Sequence, residues 1–415
     1  MLFIYRIIIN LITLISPIII LLRLLKKKED PKRFKEKFCS FSKKKIKGKL
    51  IWFHGASVGE ILSVIPLIEK LEKKKEIKQI LITSNTLSSS KILSNLKLKK
   101  VIHQFFPIDT NYHTQKFLKY WKPSTVIFID SEVWPNMIYN IKKNNISLAL
   151  INARITNKSF KRWKIFSKFA KNIFQQFDIC LSSSLKSKKY LKLLGVKKIR
   201  YIGNLKFTQT EKDFGELNKN LKQFFSTKKI WCASSTHQNE EKICLEVHKK
   251  LKLKYKNLLT IIIPRHIHRT RRILDEIKEL GLKAHLHESK NNINNKTDIY
   301  LVNSFGQTQS FFKICKTIFL GGSIIKHGGQ NPLEPVRYGC KILHGPNVWN
   351  FDEIYNLLKK YKIACKINNS KQLFLKVNEM FNKKNKSKNL EDKFKNLGIK
   401  ILNSTLKEMN LYIVK

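Results

Sequence analysis

Acidic residues are scarce in this chain. Asp and Glu number 29 against 82 Lys and Arg in 415 residues, a formal charge of +53. Such a balance points toward nucleic acid, anionic lipid or an anionic substrate as partner. Glycine and alanine are also sparse while Lys, Ile, Asn and Phe abound, the bias of A/T-rich codons, so the charge alone names no partner. The seven cysteines, Cys39, Cys180, Cys232, Cys244, Cys315, Cys340 and Cys365, include no C-x-x-C pair. Their scatter argues against a zinc site or a disulfide framework and places the globular part in a reducing compartment. Neither a P-loop nor a G-x-G-x-x-G fingerprint occurs.

What is present is enough apolar residue, 42%, to fill the cores of two ordinary domains or one large one. Residues 2–25, "LFIYRIIINLITLISPIIILLRLL", form an apolar span of about bilayer length, interrupted by Arg6, Asn10 and Arg23. No small-residue cleavage site follows it, so it reads as an uncleaved anchor. The basic flank at 26–48 favours a cytoplasmic body and attracts anionic headgroups. Arg6 and Pro17 weaken a simple spanning helix, and a helix lying in the interface is the rival reading.

From residue 49 short apolar runs alternate with helical patterns, at 50–53, 80–83, 101–106, 125–130, 147–152 and 178–183. That rhythm is a parallel α/β sheet. It restarts after a polar stretch at 208–220, with runs at 230–235, 258–264, 283–286, 298–303, 317–323, 341–345 and 362–367. Two Rossmann-like domains are therefore expected, over 49–207 and 221–415, joined by a linker at 208–220. Pro66 predicts a break inside the helix that follows the first strand. Residues 288–298 read as a polar insertion, and "KKNKSKNLEDKF" near the C-terminus as a solvated helix.

In open parallel sheets ligands bind beyond the carboxyl ends of strands, so polar residues there carry weight. Glu60 closes "IWFHGASVGE" at a helix start, where the dipole favours an ionised carboxylate. An acid that merely complements its helix is the plainer account. Gly55, Ala56, Ser57 and Gly59 tilt the balance by clearing space around the backbone. Glu132, in "DSEVWP", again follows a strand, beside Ser131. Lys206, in "GNLKF", lies where the two domains join. In the second domain "PRH" offers Arg265 for a bidentate phosphate contact and His266 as a further donor. The stretch "GGSIIKHGGQNPLEP" reads as glycine loops whose backbone N–H groups are free to hold an anion, with Glu334 suited to a ribose diol.

Together "HGASVGE", "SEVWP", "GNLKF", "PRH", "GGS" and "GGQNPLEP…GP…NF" resemble the 3-deoxy-D-manno-octulosonic acid (Kdo) transferases, which glycosylate lipid A precursor. The resemblance implies a GT-B fold, two facing Rossmann-like domains with an N-terminal membrane anchor helix. It implies Glu60 as general base, with Glu132 and Lys206 supporting the transition state. Arg265, His266, the Gly306, Gln307 and Thr308 segment, and Asn331, Pro332, Leu333 and Glu334 would hold the CMP of the donor. The implied reaction moves Kdo from CMP-Kdo to lipid IVA with inversion, with no cofactor and no metal; no D-x-D signature is evident. Partners expected are CMP-Kdo, the lipid A precursor and anionic lipids of the inner membrane, with no nucleic acid.

Two positions depart from the family pattern. Gln330 stands where His is usual before N-x-L-E, and Gln307 where Glu is usual after Gly306. Two rival readings stand beside this one. One is another membrane-associated GT-B enzyme using a nucleotide-diphosphate sugar. The other, a membrane-tethered basic RNA-binding protein, leaves the paired α/β domains unexplained.

Overall fold

The computed structural model describes every residue except 97, 209–216, 290, 291, 305, 384–386, 414 and 415, and the side chains of 387–391 are likewise not described. The linker expected at 208–220 falls largely on 209–216, outside the described residues. The chain divides into two compact units. One comprises Met1–Thr210 with Asn396–Lys415, and the other Glu211–Lys395.

Among the described residues the first unit holds seven strands: β1 (Lys49–His54), β2 (Ile77–Ser84), β3 (Val101–Phe105), β4 (Thr125–Ile129), β5 (Ser147–Ala153), β6 (Ile179–Ser182) and β7 (Ile199–Tyr201). They lie in the order β3-β2-β1-β4-β5-β6-β7, with every neighbouring pair parallel. Helices cover both faces of a parallel sheet, so its strands read as unbroken apolar runs. Alternation along β1 sorts them into two layers: Leu50 and Trp52 enter one core, Ile51 and Phe53 the other. The strand β7, Ile199-Arg200-Tyr201, is the one the run pattern does not predict.

Helix Val58–Glu72 runs unbroken through Pro66, contrary to the predicted break. Pro66 is buried on the helix face that meets the core, and the one carbonyl it leaves without a ladder donor is that of Leu62.

The second unit repeats the plan with β8 (Lys229–Thr236), β9 (Leu258–Pro264), β10 (Ala284–Leu286), β11 (Ile299–Leu301), β12 (Thr317–Leu320), β13 (Lys341–His344) and β14 (Ala364–Lys366). Their order is β10-β11-β9-β8-β12-β13-β14, again all parallel. Trp231, Ala233, Ile262, Leu301, Phe319 and Leu343 form the centre of its core.

The expectation that 221–415 forms the second domain needs one correction. The last helix, Ser387–Ile413, carries Ile401, Leu402, Met409 and Ile413 into the core layer of Ile51, Phe53 and Ile127 in the first unit. Lys70 Nζ donates to Asn403 Oδ1 at 3.0 Å, and Thr125 Oγ1 to the Tyr412 carbonyl at 3.0 Å. The apolar face of this helix therefore completes a sheet that its sequence position would assign elsewhere. All seven cysteines are free thiols.

Candidate active site

Strand order reverses direction between β1 and β4 in the first sheet and between β8 and β12 in the second. Loops that leave such a switch point in opposite senses open a crevice, the place where doubly wound sheets bind ligands. The candidate residues of the first unit stand at the β1/β4 switch.

Ser57 caps helix Val58–Glu72 and forms a capping box with Glu60. Glu60 Oε2 accepts from the Ala56 N–H at 2.7 Å and the Ser57 N–H at 3.4 Å. The plainer account of Glu60 as a helix-start acid is thus realised. Its acidity is what that role does not require. Burial, followed by the charges of Glu132 and Asp130, pushes the carboxyl up to about 7, against the hydrogen bonds from Ser57 and Ala56. Desolvation and like charge thus oppose the helix dipole, which by itself favours the ionised form.

Glu132 is held from two sides. Its Oε2 lies 3.1 Å from His54 Nε2 and accepts from Trp134 Nε1 at 2.8 Å. His54 ends β1, stacks on Phe106 with centroids 3.8 Å apart, and meets Thr83 Oγ1 through Nδ1 at 3.0 Å. Trp52 Nε1 donates to the same Thr83 hydroxyl at 2.8 Å. His54 is thus held at both ring nitrogens, by Glu132 at Nε2 and by the Thr83 hydroxyl and carbonyl, at 3.0 and 3.3 Å, at Nδ1.

Asp130, the first residue beyond β4, adopts a left-handed conformation with φ 61° and is 6% exposed. A non-glycine residue in that region at a strand's carboxyl end is the kind of strain that functional sites hold. Lys206 Nζ lies 4.0 Å from Asp130 Oδ2. Asn152, also left-handed with φ 51°, accepts from the Leu205 N–H at 2.9 Å and so seats the turn that carries Lys206. The first unit therefore gathers Glu60, Asp130, Glu132 and Lys206 on its own elements. His54 and Asp130 were missed in the sequence, although each is a polar residue ending an apolar run.

The second unit arranges its candidates beyond β8, β9 and β12. Arg265 and His266 follow β9 and are exposed. His237, after β8, lies with its ring centroid 4.2 Å from His327 and 5.7 Å from His266, and its Nε2 is 3.5 Å from Gln330 Nε2. Burial, then His327, His266, Arg269 and Arg265, lowers its pKa to about 4. Crowded basic groups that repel one another's protons form a site that an anion relieves.

The segment after the first glycine pair does not serve as expected. Glu240, fully buried, accepts from the N–H groups of Gly322 at 2.6 Å, Ser323 at 3.0 Å and Ile324 at 2.9 Å, and from that of His237 at 3.1 Å. The anion those N–H groups hold is the protein's own carboxylate. A Cβ on Gly321 would stand 2.5 Å from the Ser235 carbonyl, so this glycine permits the loop to close onto β8. Glu240 thereby fixes His237 relative to the loop after β12, a role no spacing in the sequence discloses.

Glu334 accepts from Gln309 Nε2 at 2.8 Å, and Gln309 is itself held by the Tyr338 hydroxyl at 2.9 Å. The Glu334 carboxylate is half-buried and oriented. Asn331 Oδ1 accepts from the Leu333 N–H at 3.2 Å. The side chains of Pro332 and Leu333 are buried and serve the core. Gly306, with φ 84°, opens onto free space before Gln307 and Thr308 begin helix Thr308–Ile314.

Residues 32–209 match the family described as 3-deoxy-D-manno-octulosonic-acid transferase. The 3-deoxy-D-manno-octulosonic acid transferase of Rickettsia bellii is 36% identical over 359 residues, 86% of this chain and 85% of its own. The chain belongs to this family. A member from Haemophilus influenzae is 30% identical over 77% of this chain and 76% of its own. Kdo transferases are glycosyltransferases, and the two-sheet plan agrees. A glycosyltransferase from Rickettsia africae superposes with a TM-score of 0.56 at 15% identity, covering 89% of this chain and 99% of its own. The UDP-GlcNAc 2-epimerase of Neisseria meningitidis gives 0.58 at 14% identity, covering 86% and 100%. These two likenesses establish the GT-B fold alone.

Proposed function

We propose that the protein transfers Kdo from CMP-Kdo to the lipid A precursor lipid IVA, with inversion at the anomeric carbon, at the cytoplasmic face of the inner membrane. The observation that carries this reading is the match of 359 residues, at 36% identity, to a 3-deoxy-D-manno-octulosonic acid transferase; the Glu60 carboxyl, at the β1/β4 switch and raised to about 7 by burial and neighbouring acids, suits its general base. A primary sugar hydroxyl is a poor nucleophile until its proton is removed. Glu60 takes that proton as the acceptor oxygen bonds to the anomeric carbon, and the bond from that carbon to the CMP phosphate breaks. The electron pair leaves with CMP.

Glu132, fixed by His54 and Trp134, keeps negative charge beside Glu60 and holds its basicity up. Lys206 offers positive charge to an anionic sugar. Arg265 and the histidines around His237 offer the phosphate charge-assisted hydrogen bonds, which stabilise a leaving anion. Glu334, oriented by Gln309, accepts from the ribose hydroxyls. At Gln307 and Gln330 an amide replaces a more basic or acidic group, keeping a hydrogen bond without charge.

Calorimetric titration with CMP-Kdo, a UDP-sugar and a short RNA tests the reading against its rivals. Saturable binding of CMP-Kdo with neither competitor displacing it is expected. Tight binding of the UDP-sugar, with CMP-Kdo inert, would move the protein to a different donor class.

A further inference from the structure

The first helix, α1 (Leu2–Leu25), is long and apolar enough to cross a bilayer. Its contacts describe something else. Tyr5, Ile9, Thr13, Ser16, Ile20 and Arg23 are half-buried or buried, and their spacing puts them on one stripe along the whole helix. Ser16 and Ile20, at 8% and 7% exposed, are covered at mid-helix, where a free anchor would be bare on every side.

Both ends of α1 are tied to the same unit. At the N-terminal end the Tyr5 hydroxyl donates to the buried Asp109 carboxylate at 2.7 Å. Arg6 donates to Asn136 Oδ1 at 2.9 Å and Asn111 Oδ1 at 3.1 Å. At the other end Arg23 and Lys37 each bond Glu29 at 2.6 Å, and Glu29 is 3% exposed. The Lys37 carbonyl in turn accepts from the Ile108 N–H at 2.9 Å, next to Asp109. A crossing helix would carry one end across about 30 Å of hydrocarbon. That would strip Asp109 of the Tyr5 hydroxyl and leave Arg6 in or beyond the bilayer.

Opposite the stripe α1 exposes apolar residues along its length, among them Phe3 at 73%, Leu14 at 77% and Leu25 at 72%. The surface continues beside it. The Tyr5 ring lies 6.4 Å from Phe169 of helix Ser167–Phe174. That helix joins helix Asn157–Ile165, none of whose residues is buried, through an elbow that exposes Ile165 at 74% and Phe166 at 52%. Lys161, Arg162, Lys164 and Lys168 surround the elbow and are largely accessible. Apolar side chains ringed by cations are complementary to the interface of an anionic leaflet, where the former enter the acyl boundary and the latter meet headgroups.

We infer that α1 does not cross the membrane but lies in the plane of one anionic leaflet, packed lengthwise on the first unit, with the Ile165–Phe166 elbow inserted beside it. The protein is then monotopic, and the same unit that holds Glu60 is seated on the lipid surface. The inference does not depend on which sugar is transferred.

Membrane topology tests it with the wild-type chain carrying an epitope tag before Met1. In vesicles of known sidedness, the tag and the catalytic body should be digested from the same side. A tag protected while the body is digested would overturn the inference. Binding of the full chain to phosphatidylglycerol vesicles supplies the second arm. Phe166→Asp, at an exposed position, should weaken binding at least tenfold with unchanged folding by circular dichroism. Unchanged vesicle binding, or a Phe166→Asp protein that instead loses self-association without lipid, would remove the elbow from the membrane.

Discussion

Replacing Glu60 by Gln separates a chemical role from an architectural one, because the two predict opposite changes in stability. In the folded protein burial and the neighbouring acids raise the Glu60 carboxyl from its ordinary 4.5 to about 7. The folded state therefore binds the proton more tightly than the unfolded chain, and stability falls as pH rises from about 4.5 to about 7. Above 7 the full penalty is present, at about 1.4 kcal/mol per pH unit an upper bound near 3 kcal/mol. The substituted side chain cannot ionise, and its amide oxygen can still accept from the Ala56 N–H that Glu60 now holds at 2.7 Å. Glu60→Gln should then be more stable than wild type at pH 8, by about 1–3 kcal/mol or roughly 2–10 °C in melting temperature for a unit of this size, and similar to it at pH 5. Turnover should meanwhile fall about 10²–10⁴-fold. Thermal melts at the two pH values, with initial rates at saturating donor, read both effects. A variant destabilised equally at pH 5 and pH 8 would mean that the capping box is the purpose of Glu60.

Arg265→Ala should weaken CMP binding about ten- to a hundredfold, the loss of one charge-assisted phosphate contact, and an unchanged calorimetric affinity would place the phosphate elsewhere. Glu240→Ala leaves the N–H groups of His237, Gly322, Ser323 and Ile324 without their acceptor. It should lower the stability of the second unit by about 3–5 kcal/mol, and an unaltered melt would show that the loop holds itself. Met409→Ala removes a fully buried side chain from the core layer of the first unit. A loss of about 2–5 kcal/mol in that unit is expected, whereas a loss confined to the second unit would contradict the domain assignment.

Much of the fold is readable because parallel sheets bury both faces, so β1, β4, β8 and β9 stand out as continuous apolar runs. The strand β7 escapes because it is three residues long, lies at the sheet edge and carries Arg200. Helix Ser387–Ile413 shows its apolar face in the sequence, but an amphipathic pattern does not say which core it completes. The candidate carboxylates were visible by position alone, Glu60 and Glu132 each following a strand. Their electrostatics were not, since the acidity of Glu60 arises from burial beside residues some seventy positions away. The segment after the first glycine pair was misread for a related reason. The N–H groups of Gly322, Ser323 and Ile324 belong to Glu240, whose carboxylate reaches Gly322 across 82 residues of sequence. Local spacing discloses that a loop can bind an anion, not that the chain already supplies one.

The central claim is most directly tested by incubating the full-length protein in detergent or vesicles with CMP-Kdo and lipid IVA, and reading the lipid by mass spectrometry. The account predicts lipid carrying added Kdo, with one CMP released for each sugar transferred, and an almost complete loss of that product in Glu60→Gln. Unmodified lipid with intact CMP-Kdo, under conditions where CMP binds, or wild-type product formation by folded Glu60→Gln, would contradict it.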